Sequence, residues 1–246
     1  MDAKISYADF RHFVTEMCYN TRMADKKEIT IHEAIAEIEA GSRALLMVRH
    51  GERPRIDHED PTFGAALPLT EAGYAMSVAF GRILKPLAGD VQFLSSPLRR
   101  TRMTAAGIAE GMGIPGADIP TDDLLGNSSF YFADQLEVFD LFRDGSFFEK
   151  IFAYFKAGRQ RGFNDIAAAT DRLEEWCLSR FSARLGIFTT HDLYNGAFLH
   201  ARGVTTDFDE ANWIRFLDSA AIFIRPDGTR AYALVRAGLS DRSRGV

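Results

Sequence analysis

The chain has 246 residues, 46% hydrophobic and 26% charged, an ordinary globular composition with enough length to bury one substantial core. Its net charge of −5 argues against a general nucleic-acid or anionic-membrane binder, because that affinity depends on clustered excess Lys and Arg. No apolar signal core opens the sequence and no apolar run approaches membrane-spanning length, so a cytoplasmic protein with no membrane partner is expected.

Residues 1–41 read as two helices. Phe10, Phe13, Val14 and Met17 form one helical stripe. Ile31, Ile35 and Ile38 form another, capped by Thr30 with Glu33 three residues on and closed by Gly41. Both stripes are expected to pack on the core, with a homodimer contact left open. Strand and helix then alternate: a strand at 43–49, a helix at 70–84 stopped by Pro86, a strand at 91–95, a helix at 98–112 ended by Gly113, and a short strand near 117–121. This alternation predicts a mostly parallel sheet with helices on both faces. Residues 127–184 are helical by pattern, with a second capping box at Ser146 and Glu149 and with Phe148, Ile151, Phe152 and Phe155 at helical spacing. A strand at 186–190 follows. Segments 220–225 and 231–235, joined through Pro226-Asp227-Gly228-Thr229, read as a closing hairpin. The two cysteines, Cys18 and Cys177, lie in apolar helical patterns and read as reduced, buried thiols.

Four segments carry chemistry. Arg49-His50-Gly51-Glu52 follows the apolar run 44–48, which puts a histidine and an arginine at the carboxyl end of a buried strand, where open α/β sheets place their sites. Glycine after the histidine allows a sharp turn, and Arg49 and Arg53 supply planar forks suited to phosphate oxygens. Ser95-Ser96-Pro97-Leu98-Arg99-Arg100-Thr101-Arg102 leaves the next strand and opens a helix with more guanidinium groups. Pro68-Leu69-Thr70-Glu71-Ala72-Gly73 opens a helix, and Thr189-Thr190-His191-Asp192 ends a strand with a second histidine. A lone Arg-His-Gly is weak, but four such segments at strand ends and helix starts reinforce one another.

In this order the motifs resemble the histidine phosphatase superfamily, which includes phosphoglycerate mutases, small phosphatases and histidine acid phosphatases. The resemblance spans about residues 42–236. It implies an α/β fold, a three-layer α/β/α sandwich with a mostly parallel central sheet, a helical cap insertion at about 127–184 and a C-terminal β-hairpin. The organisation expected is an N-terminal helical extension, 1–41, before a histidine phosphatase-like domain, 42–246. Carried over residue by residue, His50 is the nucleophile, Arg49 and Arg100 hold the phosphoryl group, and His191 completes the pocket.

The details lean toward the acid phosphatase branch, because Arg53 matches the second arginine of its Arg-His-Gly-x-Arg-x-Pro pattern and Asp192 its His-Asp pair. Pro54 falls one residue early and position 55 is arginine, a departure that affects the path after Arg53. The mutase branch uses a glutamate after the third strand, and residues 121–126 contain none. Asp192 is therefore the better proton donor, with Glu52, Asp122 and Asp123 as the remaining candidates. Of the helix arginines only Arg100 falls on the family's position, so Arg99 and Arg102 read as surface charges. In the insertion, Phe130, Tyr131, Phe132, Lys156, Arg159 and Arg161 are candidates for a substrate-facing surface, and aromatics filling the cap's own core with solvated charges are an equally good account of them.

No cofactor or metal is expected. Asp57, His58, Glu59 and Asp60 are consecutive in a polar loop without ligand spacing, and the nearby arginines would repel a cation. His12, His32, His58 and His200 read as structural or surface residues. The expected protein is a metal-independent phosphomonoester hydrolase acting through a phosphohistidine on a small phosphorylated substrate. The alternatives are a phosphoglycerate mutase-type phosphotransferase, disfavoured by the missing glutamate, and a non-catalytic phospho-ligand binding module, disfavoured by the intact histidine and arginine set.

Overall fold

The computed structural model describes residues 26–57, 60, 62, 64–126, 129–143 and 146–239. Six strands form one sheet: β1 (Glu28–Thr30), β2 (Arg43–Arg49), β3 (Val91–Ser95), β4 (Leu185–Thr190), β5 (Ser219–Ile224) and β6 (Arg230–Arg236). Their order is β1-β6-β5-β2-β4-β3, and β5 alone runs antiparallel to both neighbours. Among the described residues seven α-helices accompany them: α1 (Ile31–Glu39), α2 (Glu71–Leu84), α3 (Arg99–Met112), α4 (Gln135–Phe142), α5 (Phe147–Ala157), α6 (Ile166–Arg180) and α7 (Asp192–Ala201).

Strand β2 shows why the architecture has three layers. Side chains alternate across a strand, so Ala44, Leu46 and Val48 enter the core shared with α1, α2 and α3, while Leu45 and Met47 enter the core shared with α4 to α7. A strand covered on both faces reads as a continuous apolar run instead of an alternating one. Each of the larger ones, Leu45, Leu46, Met47 and Val48, contributes about 1.5–3 kcal/mol by leaving water.

Local signals set most element ends. Thr30 and Glu33 form the reciprocal capping box at the start of α1, and the Thr70 hydroxyl accepts from the Gly73 N–H, 2.9 Å, at the start of α2. Gly113 ends α3 in the left-handed region, φ 83°. The hairpin turns through Gly228, with the Arg225 N–H donating to the Thr229 carbonyl.

Three local expectations need correction. The strand near 117–121 reduces to a single bridge between Ser95 and Thr121; Pro115 and Pro120 have no N–H to give a ladder. Ser146 precedes α5 with ψ 38° instead of an extended backbone and makes no side-chain cap bond. Residues 28–30, outside either expected helix, add β1 to the sheet edge in parallel with β6. The stripe Phe10, Phe13, Val14 and Met17 lies outside the described residues, as do Cys18, His12 and His58. Cys177 is buried in α6, and burial pushes its thiol pKa up. Among the described residues no helix is long and apolar enough to cross a membrane.

Candidate active site

Parallel β2 and β4 end side by side, and their next residues are His50 and His191. The His50 N–H donates to the Thr190 carbonyl, 3.0 Å, and the two imidazole centroids lie 5.4 Å apart. His50 is 3% exposed. Its Nδ1 lies 2.8 Å from the Gly51 carbonyl oxygen, which can only accept, so Nδ1 carries the proton and Nε2 keeps its lone pair.

Gly51 serves close approach instead of the turn expected from the sequence. A Cβ there would meet the Gly73 carbonyl at 2.8 Å, and a Cβ on Gly73 would come within 2.1 Å of the Glu52 carbonyl. The chain after His50 therefore lies flat on the first turn of α2, and the Gly51 N–H donates to the Thr104 hydroxyl of α3, 2.9 Å.

Helix α3 delivers Arg100, which is buried, while Arg99 and Arg102 are exposed, as the resemblance implied. Arg100 Nη1 donates to the Gly64 carbonyl, 2.6 Å, and Nη2 lies 3.5 Å from His191 Nδ1. Guanidinium can only donate, so His191 Nδ1 accepts and its Nε2–H faces the Ser96 hydroxyl at 3.3 Å. Among the described residues, the buried Nε atoms of Arg53 and Arg100 have no hydrogen-bond partner.

Arg49 is 2% exposed and lies over the Phe216 ring, 4.4 Å from its guanidinium carbon to the centroid. It donates to the Ile214 carbonyl at 2.5 Å and pairs with Asp192 at 2.9 Å. Phe216 also borders His50, with centroids 5.9 Å apart. Leu217 behind it has φ 68°, a left-handed conformation that costs a non-glycine residue about 1–2 kcal/mol. That turn is tied to β2 because the Leu217 N–H donates to the Arg49 carbonyl and the Arg49 N–H to the Asp218 carbonyl.

Burial pushes the pKa of both His50 and His191 well below 6.5, and Arg100 reinforces the shift in each. Both imidazoles are neutral at pH 7. Burial lowers Arg53 and Arg100 to about 10, which leaves them cationic. Among the described residues, Arg49, Arg53 and Arg100 all feel the carboxylate of Asp192, and the positive charge they concentrate at the strand ends is of the sign that a phosphomonoester dianion complements.

The acid candidates separate. Asp192 lies in the first turn of α7 with its side chain 22% exposed, and both its oxygens are engaged: Oδ2 by Arg49 and by the Trp213 indole N–H, 3.2 Å, and Oδ1 by the Leu193 N–H, 2.9 Å. Asp122 accepts from the Leu124 N–H and pairs with Arg180 at 3.7 Å. Asp123 is exposed. Glu52 stays at the strand end, where its carbonyl accepts from the Thr70 N–H.

Residues 45–182 match the family model of the histidine phosphatase superfamily, branch 1. The chain belongs to the histidine phosphatase superfamily. The lean toward the acid phosphatase branch is not confirmed by this match. Structures of the same fold include a mycobacterial glucosyl-3-phosphoglycerate phosphatase with inorganic phosphate, at 17% identity and TM-score 0.52, covering 81% of this chain and 98% of that one. A phosphoserine phosphatase variant from Entamoeba histolytica in complex with phosphoserine matches at 14% identity and TM-score 0.50, covering 80% and 98%. A phosphoglycerate mutase from Bacillus anthracis str. Sterne follows at 16% and 0.49, covering 85% and 99%. At such low identities the two phosphatase likenesses show the fold alone. No protein in a search of curated sequences matches.

Helices α4, α5 and α6 lie in the segment expected to be a cap, and the structure distributes its candidates unevenly. Tyr131 is fully buried with its hydroxyl 3.0 Å from that of Thr170, so it belongs to the core under these helices and not to a substrate-facing surface. Arg159 and Arg161 are exposed and paired with Asp165 and Glu137, and Lys156 is exposed. Phe130 and Phe132 remain partly exposed, with the Phe132 ring 6.0 Å from Tyr194 beside His191. His32 is exposed and His200 stacks on Phe155. The Asp60 carboxylate accepts from the Thr62 and Gly64 N–H groups and so shapes its own loop; His58 and Glu59 lie outside the described residues. Sequence reasoning missed Trp213 and Phe216. Neither stands in a motif, and their distance along the chain from His50 and Asp192 hides the contact.

Proposed function

We propose that this protein is a phosphomonoester hydrolase that works through a phosphohistidine on His50. The observation that supports this most strongly is the tautomer. A buried imidazole with its proton committed to the Gly51 carbonyl keeps the Nε2 lone pair at pH 7, beside three arginines whose positive charge suits a phosphate. Nε2 attacks phosphorus and the bond to the leaving oxygen breaks, the guanidinium groups of Arg49, Arg53 and Arg100 binding the non-bridging oxygens. The leaving oxygen takes a proton, and water then attacks the phosphohistidine to release inorganic phosphate and restore His50.

With both oxygens of Asp192 already accepting bonds, the proton donor is to be sought among the remaining candidates, Glu52, Asp122 and Asp123. The phosphatases that share the fold favour hydrolysis, and small phosphorylated compounds are the substrate class we infer. The absence of a glutamate in residues 121–126 supports hydrolysis over mutase chemistry.

Brief incubation with a ³²P-labelled phosphomonoester and acid- and base-stability analysis of the trapped protein tests this. Wild type should give an acid-labile, base-stable phosphoprotein and release inorganic phosphate, and His50→Ala should do neither while keeping its melting transition. Label that persists in His50→Ala would place the nucleophile elsewhere.

A further inference from the structure

Asp192 is joined to the site on one side and to the cap on the other. Its Oδ2 accepts from Arg49 Nη2 at 2.9 Å and from Trp213 Nε1 at 3.2 Å. Trp213 is fully buried, and the rings around it come largely from α5: Phe148, Phe152 and Phe155 have centroids 5.6, 5.8 and 6.1 Å from its own. A Cβ on Gly196, one turn along α7 from Asp192, would meet the indole at 2.7 Å, so α7 packs directly on the ring. The indole cannot move without disturbing either the cap core or α7.

We propose that Trp213 and Asp192 are positioning residues, a clamp that fixes the Arg49 guanidinium for phosphate and transmits the packing of the cap to the phosphate site. This rests on the phosphate-handling site proposed above. A carboxylate that accepts two charge- or dipole-directed bonds on one oxygen fixes the direction of its donors. Arg49 is held from three directions, by Asp192, by the Ile214 carbonyl and by the Phe216 face, which leaves its guanidinium one orientation. Handing a proton from Asp192 to a leaving group would require a protonated carboxyl there, and protonation would break the pair with Arg49. The geometry therefore separates the two jobs: Asp192 orients the cation, and the proton comes from another group.

The test measures inorganic phosphate affinity by calorimetry, together with kcat/KM for p-nitrophenyl phosphate and glycerol phosphate. Trp213→Phe keeps an aromatic ring in the core and removes the N–H. It should weaken phosphate binding about threefold to tenfold, the range for the net worth of an ordinary hydrogen bond acting through Arg49, and lower kcat/KM for both substrates by the same factor. Asp192→Asn should act in the same direction, more strongly, and equally on both substrates. Val138→Ala, a cap-core change away from Trp213, should lower the melting temperature and leave phosphate affinity unmoved. The clamp is overturned if Trp213→Phe binds phosphate and turns over both substrates as wild type does. It is also overturned if Asp192→Asn loses glycerol phosphate turnover selectively, since that is the signature of a proton donor. If Trp213→Phe does not fold, Asp192→Asn decides alone, and unchanged phosphate affinity in it overturns the clamp. A wild type without turnover whose phosphate affinity still drops in Trp213→Phe would remove the hydrolase reading and leave the clamp standing.

Discussion

Two clusters of buried charge stand at opposite ends of α7, and they are built on opposite principles. At its carboxyl end, the Glu174 carboxylate of α6 is 2% exposed and accepts from Arg202, Arg230 and the Tyr232 hydroxyl at 2.6–2.9 Å, while Arg202 also pairs with Asp171. Two carboxylates meet two guanidiniums, and both Glu174 oxygens are matched. At its amino end, among the described residues, three arginines gather around the carboxylate of Asp192, and the Nε atoms of Arg53 and Arg100 have no hydrogen-bond partner. A balanced network holds a fold together; an unbalanced one leaves charge that an anionic ligand can complete. The contrast is the physical reason to look for a ligand at the histidine end.

The comparison can be broken at either end. The largest effect is expected at Arg100. Arg100→Lys should cost about 100-fold in kcat/KM for any phosphomonoester, because lysine cannot hold the Gly64 carbonyl and a phosphate fork together. Steady-state kinetics checks this, and loss of less than threefold would mean Arg100 is a structural cation like Arg202. Next comes Glu174→Gln, which should lower stability by about 2–3 kcal/mol in chemical denaturation and leave kcat/KM unchanged. A fall in kcat/KM without a fall in stability would erase the distinction between the clusters.

A smaller effect separates them by pH. His50 and His191 have folded pKa values below the unfolded value near 6.5, so between those values the unfolded chain binds more protons than the native protein. Their contribution to stability is complete above pH 6.5 and is lost as pH falls below it toward the folded values. Melting temperature should therefore decline from pH 7 to pH 5, and His50→Gln should flatten that decline; an unchanged slope would mean His50 is not a buried neutral imidazole. The smallest expected effect is at Arg99 and Arg102, which are exposed. Arg99→Lys and Arg102→Lys should change activity and stability by less than about 0.5 kcal/mol, the usual range for surface substitutions.

Most elements that the chain announces locally are present, the strand near 117–121 excepted. Arg43–Arg49 carries the apolar run 44–48, Val91–Ser95 carries Val91, Phe93 and Leu94, and Thr30, Thr70 and Gly113 stop or start helices through bonds to residues within a turn. Edge strand β1 is three residues long and gains its place only from pairing with β6, some two hundred residues away, so no local pattern marks it. Ser146-x-x-Glu149 fails as a capping box for the same reason in reverse, since the pattern is present and the backbone angle it needs is not.

The same division runs through the site. The sequence by itself determined the α/β alternation and the strand ends that carry His50 and His191, because periodicity and capping act between residues close in the chain, while the choice of Arg100 over Arg99 and Arg102 came from the family resemblance. Only the tertiary structure decided the tautomer environment of His50, the Gly64 carbonyl on Arg100, the Phe216 face under Arg49 and the Trp213 N–H on Asp192. Asp192 makes the reason plain. Its type and its place after a histidine are compatible with a proton donor, yet a carboxylate's role follows from which groups occupy its oxygens, and those groups arrive from β2 and from a turn 21 residues downstream. Chain neighbours determine where a side chain begins; the folded packing determines what it meets.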